Sequence, residues 1–559
     1  MKRFSPRHLI IAVSFLALCL VAFGAFGQSK SKEERTDVYH DLEIFTKILE
    51  KVSQNYVDEV DTHLLMKKAI EGMLSELDPH SQYLDGLEYE DLMVSTKGEF
   101  GGLGILISFR DNFPTVMSPI DDTPAARAGI RGGDQIVEIE DQSTEGWNVD
   151  KAVGQLRGDP GTKVRFKIRH AGDAESIEYV LTREVINVAS VPYYGMMSDG
   201  VGYLRVSNFA KKTAQEVEEG LADLEKQGMR ALVLDFRSNP GGLLQSAIEV
   251  SELFLDKDKL VVYTKGRLAS ANRKYYSSNR TTHKGYPIVI MINGNSASAS
   301  EIFAGAMQDW DAAFVLGQTS FGKGTVQTVF NLTDTEAVKL TTAKYYTPSG
   351  RSIHKDERER QAEEDLIAMN DGGGEDNGLT PDAPEQKLDA GTSEVKELKD
   401  AKEKPVFYTS SGRTVYGGGG ITPDLDFIPR EYTDLQRRLE RDGLGFSFAI
   451  EWLKTHPITE SFKVTDATLG DFYKFLTTKK FEYKKEELTP ENVDYIRTMI
   501  AREAVNNKFG RKAMYRVVLD SDPEMQETLK IIEKHPTLKD MYSYSDDEKN
   551  VKKAAAAKK

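Results

Sequence analysis

Ile288-Val289-Ile290-Met291-Ile292-Asn293-Gly294-Asn295-Ser296-Ala297-Ser298-Ala299-Ser300-Glu301-Ile302 is the stretch that decides the fold. Five apolar residues in a row, then an Asn-Gly-Asn break, read as a short buried strand and its stop. Ser298 and Glu301 stand in capping-box spacing, so a helix begins just after Ser298. A buried strand feeding a helix is the repeating unit of an α/β layer.

The same alternation extends on both sides. Val201–Val206, Ala231–Phe236, Leu260–Tyr263 and Phe314–Leu316 read as further strands, with helices over Thr213–Gln227, Leu243–Phe254 and Ser300–Trp310. The order implies an α/β core with a partly parallel sheet. Before it, Tyr89–Arg183 breaks into short apolar runs (Gly104–Ile107, Gln135–Ile139, Lys163–Ile168, Glu178–Leu181) with one helix near Asn148–Arg157. That segment is a small β-rich domain. Asp37–Leu77 has helical periodicity and stops at Leu77-Asp78-Pro79-His80-Ser81, and helical periodicity returns from Pro429 onward.

Two stretches lie outside the packed elements. Lys2, Arg3 and Arg7 precede an apolar run from Leu9 to Phe26, followed by Gly27 and a polar Gln28. This pattern is that of an export signal, and its length also suits an uncleaved anchor. The protein is therefore expected in the periplasm, and the membrane is involved only through an uncleaved leader. Residues 356–404 are charged and Gly-rich without apolar period and read as a disordered insert. Tyr345-Tyr346-Thr347-Pro348-Ser349-Gly350-Arg351 before it is echoed by Phe407-Tyr408-Thr409-Ser410-Ser411-Gly412-Arg413 after it. The two arms are expected to meet at the insert's base.

Composition narrows the chemistry. The 559 residues, 39% of them hydrophobic, allow three or four cored domains at roughly 150 residues each. A net charge of −15 repels phosphate backbones, so nucleic acid is not an expected partner. The single cysteine, Cys19, lies in the leader, which excludes a thiol nucleophile, internal disulfides and thiolate metal sites from the mature chain.

Three segments could carry chemistry. The serines of 296–300 sit where a helix N-terminus offers free N–H groups to an oxyanion, although such clusters more often only cap a helix. The spacing alone leaves open which serine would attack. None of the nine histidines occupies a similar strand-to-helix junction, and His283 and His354 read as solvated loop residues. Lys323, boxed in Gly322-Lys323-Gly324 after a core strand, is a better base. Desolvated, it loses its proton and can take one from a hydroxyl. Gly317–Gly324 nearly spells a phosphate-binding loop, but Gly324 replaces the needed hydroxyl and a β-branched run, not a helix, follows. Asp235-Phe236-Arg237-Ser238-Asn239-Pro240-Gly241-Gly242-Leu243 is a strand, a Gly-rich turn and a helix, the pattern of an anion nest or of a plain tight turn.

Together these segments resemble the C-terminal processing (tail-specific) serine proteases. That family places its nucleophile in an S-A-S-A-S-E segment, and its lysine, in G-K-G, lies 25 positions later; this spacing selects Ser298 and Lys323. The resemblance extends from about Val38 to Asp424. It implies Gln327 beside the lysine, oxyanion donors at Gly242 and Ala299, and no cofactor or metal. The β-rich segment resembles a PDZ domain, whose tail-binding loop would be Gly102, Leu103, Gly104 and Ile105. An arginine in the position of Arg157 couples tail binding to the active site in similar proteases, whereas a purely structural Arg157 would satisfy helix-end carbonyls.

The fold expected is multidomain α+β, with a crotonase/ClpP-like α/β protease core, an inserted PDZ domain and helical N- and C-terminal regions. Boundaries fall at 1–27 (leader), 37–88 (helical), 89–184 (PDZ), 185–355 with 405–428 (protease core), 356–404 (insert) and 429–559 (helical). The expected function is a serine endopeptidase with a Ser/Lys dyad that captures protein C-terminal tails and cleaves near them. A homo-oligomer or an adaptor is left open as partner. The rival is a non-catalytic PDZ scaffold, which would have no need of a boxed lysine.

Overall fold

The computed structural model describes residues 38–171, 173–198, 200–278, 283, 285–355 and 404–556. The expected leader and all of the expected insert except Lys404 lie outside the described residues. Two units divide after Tyr83. The first holds helices α1 (38–55) and α2 (Thr62–Ser75). Asp61 caps α2 by accepting the N–H groups of His63 and Leu64. Asp78 closes the Leu77–Ser81 stop by accepting from the His80 and Ser81 N–H groups at 2.8 and 2.9 Å.

The second unit opens with α3 (Gly86–Lys97), closed by Gly98 in the left-handed region. The boundary expected at 88/89 falls inside this helix, so the first residues assigned to the β-rich segment are helical. Next comes a sheet in the order β1 (Ile105–Arg110), β2 (Phe113–Pro119), β3 (Gln135–Ile139), β4 (Lys163–Arg169), β5 (Ile177–Thr182), with α4 (Val149–Leu156) between β3 and β4. Strand β2 is not among the four runs read from the sequence, because Pro114 and Pro119 weaken its signal. Val116, Ile136, Ile139, Ala152, Leu156, Val164, Phe166 and Ile168 form its core. Strand β1 lies at the sheet's edge. Glu99–Gly102 pairs with Glu184–Asn187 at the neck of the segment, so the boundary at 184/185 also cuts an element.

The larger sheet runs β6 (Tyr193–Ser198), β7 (Val201–Arg205), β8 (Ala231–Asp235), β11 (Ile288–Ile292), β12 (Phe314–Gly317), β15 (Leu425–Asp426). Strand β6 is antiparallel to β7 and every later pairing is parallel. A smaller antiparallel sheet links β9 (Leu260–Lys265), β10 (Arg273–Tyr276), β13 (Thr325–Asn331) and β14 (Glu336–Tyr346).

Side chains alternate across the larger sheet, and both faces are apolar. Leu204, Leu232, Leu234, Ile288, Ile290, Ile292 and Val315 pack with α5 (Thr213–Lys226), α6 (Leu244–Glu252) and α7 (Ala299–Asp309). Val201, Tyr203, Val233, Val289, Met291, Phe314 and Leu316 face the other way, onto Leu519, Met525, Ile531, Ile532 and Met541. A parallel sheet needs cover on both faces. Here the second layer comes from the chain's last helices.

The C-terminal region thus does two jobs. Helices α8 (Asp434–Arg441), α9 (Leu444–Trp452), α10 (Asp466–Thr478) and the first part of α11 (Pro490–Phe509) form a core of their own around Phe448, Phe472 and Ile500. Helices α12 (Arg511–Ser521), α13 (Pro523–Lys534) and α14 (Leu538–Ala556) cover the sheet. No helix among the described residues is long and apolar enough to cross a membrane.

The echoed arms fold alike. The Thr347 N–H donates to Arg351 O and the Gly350 N–H to Thr347 O; the Thr409 N–H donates to Arg413 O and the Gly412 N–H to Thr409 O. Each turn then docks on a carboxylate at the C-terminal end of α7. The Ser349 N–H donates to Asp309 at 2.8 Å and the Ser411 N–H to Asp311 at 2.7 Å. Arg351 lies 2.8 Å from Asp309, and Arg413 2.7 Å from Asp311. The Arg351 side chain has no exposure, whereas Arg413 keeps 20%. Removing one partner of a buried pair costs about 3–5 kcal/mol. Arg351→Ala should therefore lower the urea midpoint clearly more than Arg413→Ala, and equal losses would contradict this account of the echo.

Candidate active site

Helix α7 is buried on every side, so each polar group on it needs a partner. The three serines at its start part company on this test. The Ser296 hydroxyl donates to Phe236 O at 2.9 Å and the Ser300 hydroxyl to Asn239 O at 3.1 Å, and both residues are fully buried. Among the described residues, the Ser298 hydroxyl donates to no main-chain carbonyl, and Ser298 is half-buried. Its backbone is held at φ 55°, ψ −113°, a region L-residues rarely occupy. The structure thus separates Ser298 from its neighbours by geometry.

Glu301 ties this turn to the lysine loop. Its Oε2 accepts the Ser298 N–H at 2.7 Å and the Lys323 N–H at 2.9 Å. Its Oε1 accepts the Ser320 hydroxyl at 2.5 Å and the Gly322 N–H at 2.7 Å. Tyr345 repeats the link from the other side, its hydroxyl reaching Ser298 O at 3.1 Å and also Lys323 O. One carboxylate and one phenol therefore hold the main chains of Ser298 and Lys323 side by side. Burial pushes the Glu301 carboxyl up to about 7, against the pull of the four donors. Burial, and then the Glu301 charge, also raise Tyr345 well above its ordinary value.

The lysine loop is packed as tightly as its glycines suggest. A Cβ on Gly324 would stand 2.7 Å from both Cβ and N of His354. Beyond the loop, Thr325–Asn331 is strand β13, so no helix N-terminus faces a phosphate here. Gln327, on β13, donates its amide to the hydroxyls of Thr325 and Thr341 at 2.9 and 3.2 Å, which leaves its carbonyl as the accepting end. His283 departs from the sequence expectation. It is buried, with Nδ1 2.8 Å from Glu225, a partner 58 positions away that no local pattern could announce.

The Gly-rich turn closes the site from a third side. Asn239 accepts the Gly241 N–H, and its carbonyl accepts the Ala297 N–H at 2.9 Å. A Cβ on Gly241, at φ +95°, would lie 2.7 Å from Ala297 O and from Ser298 Cβ. Only glycine lets the turn come this near. Among the described residues, neither the Gly242 N–H nor the Ala299 N–H is donated to a protein acceptor. No cluster of His, Cys, Asp and Glu suited to a metal ion occurs among the described residues.

The loop expected to receive tails has the same character. Leu103 is buried and Gly104 has φ +75°, with Thr123 filling the space of its missing side chain. Leu103 O accepts the Ala125 N–H, and Gly104 O accepts the Ile120 N–H. The Leu103 and Gly104 N–H groups are given to no protein acceptor among the described residues. Ile105 opens edge strand β1. Arg157, at the end of α4, sends its guanidinium 2.6 Å from Asp91 of α3 and over the Phe100 ring. The helix-end carbonyls of Gln155 and Leu156 are met by Arg183, at 2.8 and 3.0 Å. The structural duty considered for Arg157 therefore belongs to Arg183.

The Glu301 assignment has a pH signature. Its carboxyl, near 4.5 when unfolded and about 7 when folded, adds stability below the lower value, and this is lost as pH rises through the upper one. The loss is on the order of 3 kcal/mol. The stability of the parent protein minus that of Glu301→Gln should fall between pH 4.5 and 7.5 in denaturant titrations. A flat difference would refute a buried, ionising Glu301.

Residues 200–364 match peptidase family S41, and residues 115–170 match a PDZ domain. Residues 24–87 match the N-terminal domain of the activating protease CtpB, and residues 435–490 the C-terminal helical domain of a probable PDZ-protease. The carboxy-terminal-processing protease of Bartonella bacilliformis is 41% identical over 347 residues, covering 61% of this chain and 79% of its own. The carboxy-terminal processing protease CtpA of Bacillus subtilis is 35% identical over 358 residues, covering 64% and 76%. Among solved structures, the photosystem II D1 C-terminal processing protease is 26% identical, with a TM-score of 0.32 over 56% of this chain and 90% of that one. The chain belongs to the C-terminal processing proteases, serine peptidases of family S41, and carries a PDZ domain ahead of its α/β core.

Proposed function

We propose that this peptidase uses Ser298 as nucleophile and Lys323 as general base, with substrates delivered by the PDZ domain. The observation that carries the reading is the shared Glu301 carboxylate, which joins the Ser298 and Lys323 main chains while the Ser296 and Ser300 hydroxyls are spent elsewhere. Ser298 Oγ attacks the peptide carbonyl carbon and its proton passes to neutral Lys323 Nζ. Negative charge gathers on the carbonyl oxygen, where the Gly242 and Ala299 N–H groups are free to receive it. The C–N bond then breaks, and Lys323 returns the proton to the departing amine. Water, relieved of a proton by the same lysine, attacks the acyl carbon; the ester C–O bond breaks, and the lysine returns that proton to Ser298 Oγ. The Gln327 carbonyl orients the amine between these steps.

The edge of β1 and the free N–H groups of Leu103 and Gly104 suit strand addition by a C-terminal tail, with its carboxylate in the loop. Leu103, Ile105 and Ile107 favour apolar tail residues. Arg157, released from helix capping by Arg183, fits the coupling role: it joins the end of α4 to α3 through Asp91. The basic and apolar leader supports a periplasmic location for this activity.

Lys323→Ala and Lys323→Arg should both abolish peptide cleavage while tail binding persists, because guanidinium does not surrender its proton. Cleavage by the parent should rise with pH as Lys323 deprotonates. Amidating a good substrate's C-terminus should weaken its capture. Turnover by either lysine variant removes the dyad, and indifference to amidation removes tail capture.

A further inference from the structure

We propose that the C-terminal helix α13 holds the Gly-rich turn of the active site in place through Arg237, which makes Asp522 and Glu524 positioning residues for hydrolysis. The inference rests on the reading of Gly242 as an oxyanion donor and assigns work to a region that the peptidase S41 match does not include.

Arg237 stands between strand β8 and Gly242. Its guanidinium meets Asp235 through Nε at 3.0 Å and Nη2 at 2.7 Å. The same group reaches across to α13, where Nη2 lies 2.7 Å from Asp522 and Nη1 donates to Glu524 at 2.9 Å. Arg205 also pairs with Asp235 at 2.7 Å, and its other nitrogen donates to Arg237 O. Tyr203 donates its hydroxyl to Asp235 at 2.7 Å. The sheet alone thus provides one carboxylate for two guanidinium groups. Helix α13 provides the rest.

Charge in this cluster is balanced only with α13 present. Two arginines face three carboxylates, and Glu524 carries the surplus: burial, opposed by Arg237 and reinforced by Asp235 and Asp522, raises it to about 7. Burial opposes the ionisation of Asp235, but Arg237 and Arg205 overcome it and hold that carboxyl far below its usual range. Without the α13 carboxylates, Arg237 would keep half of one partner and a path to solvent. A largely buried cation stripped of partners is costly to leave in place.

The turn leaves little slack to absorb such a movement. The Arg237 N–H donates to Asp235 at 2.9 Å, and Ser238, at φ +54°, donates its N–H to Asn293 at 2.8 Å. Asn239 donates to Val206 O at 3.0 Å and holds Gly241, where an added Cβ would lie 2.7 Å from Ser298 Cβ. Helix α13 is equally fixed. Asp522 caps it, accepting the Glu524 N–H at 2.9 Å, and Met525, Ile531 and Ile532 lock it to the sheet. The chain of contacts runs unbroken from helix cap to oxyanion turn, and small misplacements of such donors are costly.

The test uses the full chain and a short quenched peptide, with active sites counted by a serine-directed covalent probe. Asp522→Asn combined with Glu524→Gln should lower kcat per labelled site about tenfold with KM unchanged. Arg237→Lys should do the same, and the triple variant should lose little more than either. Glu524→Asp, which keeps a carboxyl group on α13, should recover part of the loss. Unchanged kcat per labelled site in the double variant, or losses that multiply in the triple, overturns the coupling. Should the double variant not fold, Arg237→Lys decides by the same kcat criterion. Ser298→Ala, run alongside, keeps the two readings apart, since turnover there refutes the site itself and an inert Ser298→Ala leaves any failure with α13.

Discussion

The Glu301 carboxylate is the hinge of the whole arrangement. It is buried, and four donors from two segments converge on its two oxygens. Stripping a carboxylate of water costs several kcal/mol, and the four bonds replace part of the lost hydration. The segments that supply them cannot separate without exposing that cost again. The Ser298 turn and the Lys323 loop, more than twenty residues apart, are locked together in this way, and Tyr345 repeats the link through the carbonyls. The strained backbone at Ser298 persists because so much around it is fixed.

The sheet beneath the site has a matching constraint. A central strand such as Ile288–Ile292 is buried on both faces, so neither face of the sheet can be left to solvent. Helices α5 to α7 close one side, and the last helices of the chain close the other. That duty brings α13 beside Arg237. The two echoed turns fix the far end of α7, each with a Ser N–H and an arginine on one aspartate. The helix that starts just after Ser298 is thus pinned at both ends by charged groups.

Much of this could be read from residues in order. Ile288–Ile292 was matched residue for residue, and Gln135–Ile139 likewise, because apolar runs bounded by turn residues leave few alternatives. The Ser298–Glu301 spacing announced a cap, but not that the glutamate would also hold the lysine loop, since that contact spans the fold. Arg183, His283 and Tyr345 were hidden for the same reason: each finds its partner far along the chain. Periodicity marked the C-terminal helices as helices. Their apolar faces did not say that the sheet was what they covered.

The most direct measurement is the site of covalent capture. A serine-acylating peptide inhibitor should leave a single adduct, mapped by mass spectrometry to Ser298, at a rate that rises with pH and vanishes in Lys323→Ala. No label should reach Ser296 or Ser300, whose hydroxyls are bonded inside the fold. An adduct at either of those residues, or capture at Ser298 undiminished without Lys323, would contradict the account.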